Sequence, residues 1–410
     1  MLYYSTADPR HRVGFIEAIS RGLPPGGGYY MPERLPIIPK AFFNNMADMS
    51  LKDIGYVVVN TLFGEDLNSS DLKSIVSQAI NFDTPLVPDP AYKNLYALEL
   101  FHGPSKSYKD FGARFMAHTL RMLHRNKSEL NIIVATTGDA GEAVAHSFHD
   151  LPGTRVFVLY PRSGSGMRKL SSFASLGGNI VPVEVRGSFS QCHDMVKAVF
   201  ADSTVRNSLN LFAANSFNLA RLLPQTIYYF YAYAQLLRAG ADVKHLAISL
   251  PSGNLGNLTA GLIAKNMGLP AERIIAVRTG EPDVLHSYLH QGIMPSPTND
   301  MDVPPNFWRL LTLYGNSREK LSAESGSILI PEEYSSDPVN SCNDRFSEAA
   351  RQSLIGLEGD FTSRVYLATS FADTPGPLRS HAYFKPAATL SPSPVVFRDF
   401  LIRYCNSQSR

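Results

Sequence analysis

The feature that most constrains this chain is an alternation. Short apolar, β-branched runs recur as NIIVA (131–135), RVFVLY (155–160), NIVPVEV (179–185), LAISL (246–250), RIIAV (273–277) and RVYLA (364–368). Each leads into a glycine- or proline-containing turn and a helix-like segment, among them GEAVAHSFHD, FSQCHDMVKAVFAD and GNLTAGLIAKNMG. A strand that is apolar on both faces must be covered on both faces, and strand–helix alternation supplies that cover through βαβ units. The expected class is therefore α/β, with parallel sheets and helices on both faces. The 131–185 block reads as one βαβαβ unit and the 246–277 block as the start of a second. Dense tyrosines in IYYFYAYAQ read as a buried helix face. The 295–345 region reads as loops and short helices, and the proline-rich 374–394 stretch as irregular surface.

Composition excludes more than it specifies. With 410 residues, 44% hydrophobic and 18% charged, the chain has room for two or three domains. A net charge of +2, with acids and bases interspersed, leaves no basic footprint for nucleic acid. Cys192, Cys342 and Cys405 lie far apart and form no CxxC pair. Neither a disulfide framework nor a metal site is expected, and a reducing cytoplasm fits. The opening MLYYSTADPR has no apolar core of signal-peptide length, and no apolar run approaches the roughly 18 residues of a membrane span.

Two glycine loops follow strands. LAISL runs into PSGNLGNLTAGLIAK, where Gly253 and Gly256 let the backbone approach an anion at a helix start. The spacing G-N-L-G matches neither the dinucleotide fingerprint nor a P-loop, so one small phosphate fits better. A tight turn capping a helix remains the plainer alternative. NIIVA runs into ATTGDAGEAVAHSF, in which Thr136, Thr137 and Gly138 could cradle a carboxylate, or could simply cap the helix.

The stretch FHGPSKSYKDFGARF (101–115) carries Lys106 and Lys109. A lysine at a helix entrance is ordinarily a solvated charge. A reactive lysine, a loop for one phosphate and a loop for one carboxylate are, however, the parts of a pyridoxal 5'-phosphate enzyme. The aldehyde of that cofactor needs an amine, its phosphate an anion cradle, and an amino-acid substrate needs its carboxylate held.

At this point the chain resembles the threonine synthase family. FHGPSKSYKDFG is similar to the family signature FHGPT-x-x-[FY]KDFG, ATTGDAGEAVAHSF to ATSGDTGAAVAHAF, ANSFNLARLLPQ (214–225) to NS-x-N-x-x-R-LL-x-Q, and PSGNLGNLTAG to PSGNFGDLTAG. The opening YYSTADPRHRVGFIEAISRGLPPGGGYYMPERLP, LGGNI (176–180) and MDVPPNFWRLLTLYG also resemble the family, so the likeness spans about residues 1 to 320. It implies fold type II, with two open twisted, mostly parallel sheets and an N-terminal α/β subdomain. The implied division is 1–95 for that subdomain, 96–125 and 226–410 for a large cofactor-binding domain, and 126–225 for a small substrate-binding domain.

The implied reaction is conversion of O-phospho-L-homoserine and water to L-threonine and phosphate. By carry-over from the motifs, Lys109 holds the cofactor and then acts as the base. Gly253, Asn254, Leu255, Gly256 and Asn257 bind the cofactor phosphate. Thr136, Thr137, Gly138 and Asp139 meet the substrate carboxylate and the cofactor's 3-hydroxyl side. Arg221, beside Asn215 and Ser216, is the first candidate cation for the substrate phosphate, ahead of Arg162, Arg168 and Lys106. His102 and His146 read as packing groups rather than acids.

The match weakens at the end. RVYLATSFADTPGPLRS stands where the family has TAHPAKF or a close variant, and Thr369, with Ser370 as the neighbouring candidate, aligns with the threonine that meets the pyridine nitrogen. Thr137 replaces a serine, Ala140 replaces a threonine, and Lys106 is an extra charge. These departures keep open a paralogue of changed specificity or another lyase of the fold, such as a threonine or serine dehydratase. A cofactor-carrying regulatory protein and a nucleotide-binding protein are more distant alternatives. The expected partner is a small-molecule substrate, with no nucleic acid and no membrane, in a monomer or homodimer.

Overall fold

The computed structural model describes residues 1–126, 129–162, 173–279, 282–295, 303–330, 345–370 and 386–407, with the backbone alone at 345 and 346. The early strands are β1 (Leu2–Ser5), β2 (Arg12–Gly14), β3 (Tyr30–Pro32), β4 (Leu86–Pro88) and β5 (Leu95–Glu99). Next come β6 (Leu130–Ala135), β7 (Thr154–Pro161), β8 (Ile180–Val185) and β9 (Leu211–Ala213). The last are β10 (Leu246–Pro251), β11 (Arg273–Thr279), β12 (Ser325–Ile330), β13 (Ser363–Ala368) and β14 (Ala388–Leu390). Among the described residues they form three sheets.

The first is a small antiparallel sheet, β2-β1-β3, at the N-terminus. Beside it the helices Leu51–Phe63 and Ser69–Ala79 bury Ile54, Val58, Leu62, Leu72, Ile75 and Val76, spaced as one helical face requires. Ser50 starts the first of these helices through a capping box with Asp53.

The second sheet has the order β12-β11-β10-β13-β5-β4, parallel except for β4, which runs antiparallel to β5. The third is β14-β8-β7-β6-β9, parallel throughout. All six strands read from the sequence are present. Their side chains are buried along almost their whole length, as sheets covered on both faces require. The short β9, β4 and β14 and the antiparallel strands were not legible, because three or four residues carry too little periodicity. β5 and β12 were missed as well, and β12, which opens on the polar SGS, places a strand in the 295–345 region expected to hold loops and short helices.

The helix Lys109–Leu123 joins the six-stranded sheet to the five-stranded one and buries Phe111, Phe115, Met116 and Leu120 completely. Phe111 meets Phe82 and Tyr228 edge-on, at 5.1 and 5.2 Å between ring centres. A Cβ on Gly112 would collide with the carbonyl group of Arg221, so the absence of a side chain there lets this helix lie against the Leu219–Leu222 turn. The tyrosine-rich helix Thr226–Arg238 is buried as expected, with Tyr228 and Tyr229 inaccessible to solvent.

Sheet pairing crosses the expected division at two places. Residues 226–410 do not all accompany the large sheet: β14 pairs with β8, and the helix Pro394–Ser407 inserts Phe397, Leu401 and Cys405 into the core of the smaller sheet. β14 supplies the backbone partner for the β8 edge, and the apolar face of the helix is buried in the core of that sheet. Residues 1–95 also give up β4 to the large sheet. Most of the 374–394 stretch expected to be irregular, residues 374–385, lies outside the described residues, and its end forms β14. No described helix is long and apolar enough to cross a membrane.

Candidate active site

The segments singled out in the sequence all follow the carboxyl ends of parallel strands. The lysine loop follows β5, the 136–139 loop β6, the 214–218 loop β9, the 252–256 loop β10, and Thr369 follows β13. In open α/β sheets, that end is where ligands collect. Here the loops surround a cleft of about 1710 Å³ between the two parallel sheets. Its walls include Lys109, Thr136, Thr137, Gly138, Asp139, Asn215, Ser216, Arg221, Gly253, Asn254 and Gly256.

Lys109 is the first residue of its helix, and its Nζ lies 3.3 Å from Asp139 Oδ2, across the gap between the sheets. The following Asp110 turns inward instead. It is fully buried, accepts the Ser105 N–H at 2.9 Å, and burial pushes its carboxyl up to about 7. Asp110 therefore shapes the loop, and Lys109 is the group presented to the cleft. Lys106 is exposed and does not line it. His102 is exposed beside Glu99, at 2.7 Å, and stacks near Phe101.

In the 136–141 loop, Thr136 spends its hydroxyl locally: it accepts the N–H groups of Gly138 and Gly141 and donates to the Gly138 carbonyl. Its part is to form the turn, leaving Thr137 exposed at the cleft.

The 253–257 loop has the form of an anion nest. Gly253 has φ +43 and Leu255 φ +61, so left-handed residues interrupt the chain just before the helix Gly256–Asn266. A Cβ on Gly253 would meet no protein atom within 4 Å and would project into the cleft. Asn254 Oδ1 accepts the Gly256 N–H at 3.1 Å. Leu255 and Asn257 turn their side chains into the core, where Tyr228 donates to Asn257 Oδ1 at 2.9 Å and Tyr229 to the Asn257 carbonyl at 2.7 Å. The tyrosine face thus braces the loop from behind.

Arg221 is buried, donates through Nη1 to the Ala214 carbonyl at 2.8 Å, and has no partner for Nε among the described residues. Burial pushes its guanidinium down to about 10. Asn215 Oδ1 is likewise buried without a partner. A buried cation without a carboxylate is costly unless an anion joins it. Of the rival cations, Arg162 is exposed beside Glu184, and Arg168 lies outside the described residues.

Thr369 is buried and does not line the cleft. Its carbonyl accepts the Tyr108 N–H at 2.9 Å and its own N–H reaches Ser347 Oγ at 3.0 Å, which sets it one residue from the lysine. The 371–377 departures lie outside the described residues. Sequence reading missed His193 and Lys197, which line the cleft from the helix Phe189–Ala201, and Asn306, which lines it from the helix Pro305–Leu313. The i, i+4 spacing of His193 and Lys197 was the available signal.

Residues 78–317 match the family described as pyridoxal-phosphate dependent enzyme, and residues 2–80 match the threonine synthase N terminus. The fold and the cleft thus define a pyridoxal-phosphate-dependent enzyme. Threonine synthase of Buchnera aphidicola subsp. Baizongia pistaciae is 37% identical over 359 residues, which are 82% of this chain and 83% of that one. Threonine synthase of Escherichia coli is 37% identical over 315 residues, 75% of this chain and 72% of that one. The crystal structure of the Escherichia coli enzyme superposes with a TM-score of 0.82 at 30% identity, covering 98% of this chain and all of that one. The yeast enzyme superposes with a TM-score of 0.80 at 24% identity, covering 99% of each chain, which speaks for the fold alone. This chain belongs to the threonine synthase family.

Proposed function

We infer that the chain is a threonine synthase, a pyridoxal 5'-phosphate-dependent lyase that converts O-phospho-L-homoserine and water to L-threonine and phosphate. One observation carries the assignment of residues: a lysine amine, a left-handed glycine nest and a buried, incompletely partnered arginine face the same cleft. The chain's own groups fit the cofactor. Gly253 leaves open space where a side chain would stand, in a backbone turn suited to an anion. Lys109 stands across the cleft for the aldehyde.

Bound there, pyridoxal phosphate supplies an aldehyde that joins amines and a ring that draws electrons from the substrate's α-carbon. The residues do the rest. Gly253, Asn254, Leu255, Gly256 and Asn257 would form the cradle of the cofactor phosphate. The Leu255 N–H goes to the Ser252 carbonyl and the Gly256 N–H to Asn254 Oδ1 in this structure, so those two would have to be released to reach it. Thr369 is the expected hydroxyl for the ring nitrogen, but it sits beside Tyr108 and off the cleft wall, so it would serve only if the chain at 369–370 shifts toward the cleft. Thr137 and Gly138, in the turn made by Thr136, would orient the substrate carboxylate, and Asp139 would lie on the 3-hydroxyl side. Arg221, with Asn215 and Ser216, would bind the substrate phosphate and stabilise its departure. The Lys109 amine would take the proton from Cα, and then handle the Cβ proton before water adds at Cβ. Asp139, whose Oδ2 lies 3.3 Å from Nζ, would help to hold the amine near the reacting carbons. The small sheet with its C-terminal strand and helix is proposed as the substrate-side unit. Cys192 and Cys405 are buried and outside any disulfide, which suits a reducing cytoplasm.

The test is to supply O-phosphohomoserine to the purified protein and follow phosphate and threonine together. Equimolar production of both is expected. Phosphate without threonine, or ketobutyrate from threonine as the main activity, would assign the site to a paralogue or a dehydratase instead.

A further inference from the structure

Behind the cleft, one buried arginine joins three of its walls. Arg309 is fully buried, and among the described residues it forms no ion pair with a carboxylate. Its Nε donates to the Tyr30 carbonyl at 3.1 Å, Nη2 to the Phe217 carbonyl, and Nη1 to Asn306 Oδ1 at 3.0 Å. The guanidinium also lies 5.6 Å from the centre of the Tyr29 ring. Gly28 and Tyr29 line the cleft from the N-terminal unit, and Asn215 and Ser216, just before Phe217, line it from the small sheet.

The third arm is a relay. Because Arg309 occupies Asn306 Oδ1, the Asn306 amide must turn its Nδ2 the other way, and it donates to the Asn254 carbonyl at 3.1 Å. Asn254 in turn caps Gly256, the first residue of the helix behind the nest. Three donors of one rigid fork thus go to three separate walls, a geometry that a lysine cannot reproduce. The buried charge is costly in isolation. An anion in the adjoining loop would offset it.

We propose that Arg309 is a positioning residue for the cofactor phosphate: through Asn306 it fixes the 253–256 loop in its anion-receiving shape and lends it a buried positive charge, while its other donors tie that loop to the substrate-side walls. The proposal rests on the reading of that loop as the phosphate cradle.

The test titrates cofactor-free wild type, Arg309→Lys and Asn306→Ala with pyridoxal 5'-phosphate and, separately, with pyridoxal, which lacks the phosphate. The readout is the visible band formed when the aldehyde condenses with the protein amine, with circular dichroism checking the fold. Both variants are expected to bind pyridoxal 5'-phosphate about tenfold more weakly and pyridoxal within about twofold of wild type. The double variant is expected to lose little more than the worse single one, because both cut the same relay. If Arg309→Lys does not fold, Asn306→Ala, which leaves both backbone contacts of Arg309 in place, carries the comparison. Equal losses for the two aldehydes, or unchanged affinity for the phosphate form, would overturn the proposal. A wild type that forms no band with pyridoxal 5'-phosphate would overturn the cofactor reading itself, whereas a wild type labelled at Lys109 beside unaffected variants would sink the Arg309 proposal alone.

Discussion

At the scale of residues, neighbouring groups in one motif divide their labour by the direction in which they point. Lys109 faces the cleft, whereas Asp110 faces inward. Lys109→Ala is expected to lower the rate by roughly 10²–10⁴-fold or more, the range of a lost general base, and to abolish borohydride labelling of the peptide carrying position 109. Label at another lysine would sink the assignment. Arg221→Gln should weaken kcat/KM for the phosphorylated substrate by roughly 2–5 kcal/mol, thirtyfold or more, with cofactor affinity retained. Equal loss of both would make Arg221 a structural residue. Asp110 makes a prediction about pH. Its carboxyl is raised from an ordinary 3.8 to about 7 in the folded chain. The native state therefore holds a proton that the unfolded chain releases. The stability this adds is full below about pH 4 and is lost as pH rises through 7, by on the order of 2–4 kcal/mol. Asp110→Asn should flatten that window in denaturant titrations of the cofactor-free protein, and an unchanged slope would count against the burial account.

At the scale of elements, what was legible is what periodicity and glycine encode. Six of the seven strands of six or more residues carry continuous apolar runs and were readable, as was the glycine turn between β10 and its helix; β12 was not, because SGSILI is polar over its first half. The reinforcement was not. Nothing in IYYFYAYAQ says that Tyr228 and Tyr229 will reach the 257 position, because that contact joins residues 28 and 29 apart in the chain through packing alone. Nor did the Thr136 hydroxyl announce that it would close its own turn rather than meet a ligand. The nest itself is testable as an element. Gly253→Ala adds a Cβ where no protein atom lies within 4 Å, but at a φ of +43. The cofactor-free fold should lose only about 1–2 kcal/mol to backbone strain. Cofactor affinity should fall much further, since the added methyl occupies the space assigned to the phosphate. If thermal melts and cofactor titrations fell in proportion, the glycine would be serving the turn and not a ligand.

At the scale of the whole molecule, the chain is not divided where a linear reading would cut it. β13 inserts between β10 and β5, so the large sheet is completed by residues more than 250 positions after β5. The tail then crosses to the other sheet, where β14 covers the β8 edge and Phe397 and Leu401 enter the core around Phe157 and Val196. The tail's return leaves no local trace in sequence, because a three-residue strand and an amphipathic terminal helix are compatible with either sheet. It has an energetic consequence. Phe397 and Leu401 are both inaccessible to solvent, and each buried side chain of this size contributes about 1.5–3 kcal/mol from transfer alone. Phe397→Ala should therefore destabilise the protein by roughly 3–5 kcal/mol once the cavity is included. The loss should concentrate in the five-stranded sheet that carries the 136–139 and 214–218 loops. Amide exchange should accelerate across β6, β7 and β8 while β10 and β11 keep their protection, and KM for the substrate should rise more than the cofactor dissociation constant. Uniform acceleration across both sheets would show that the two share one cooperative core, and that the tail serves the entire molecule and not its substrate side.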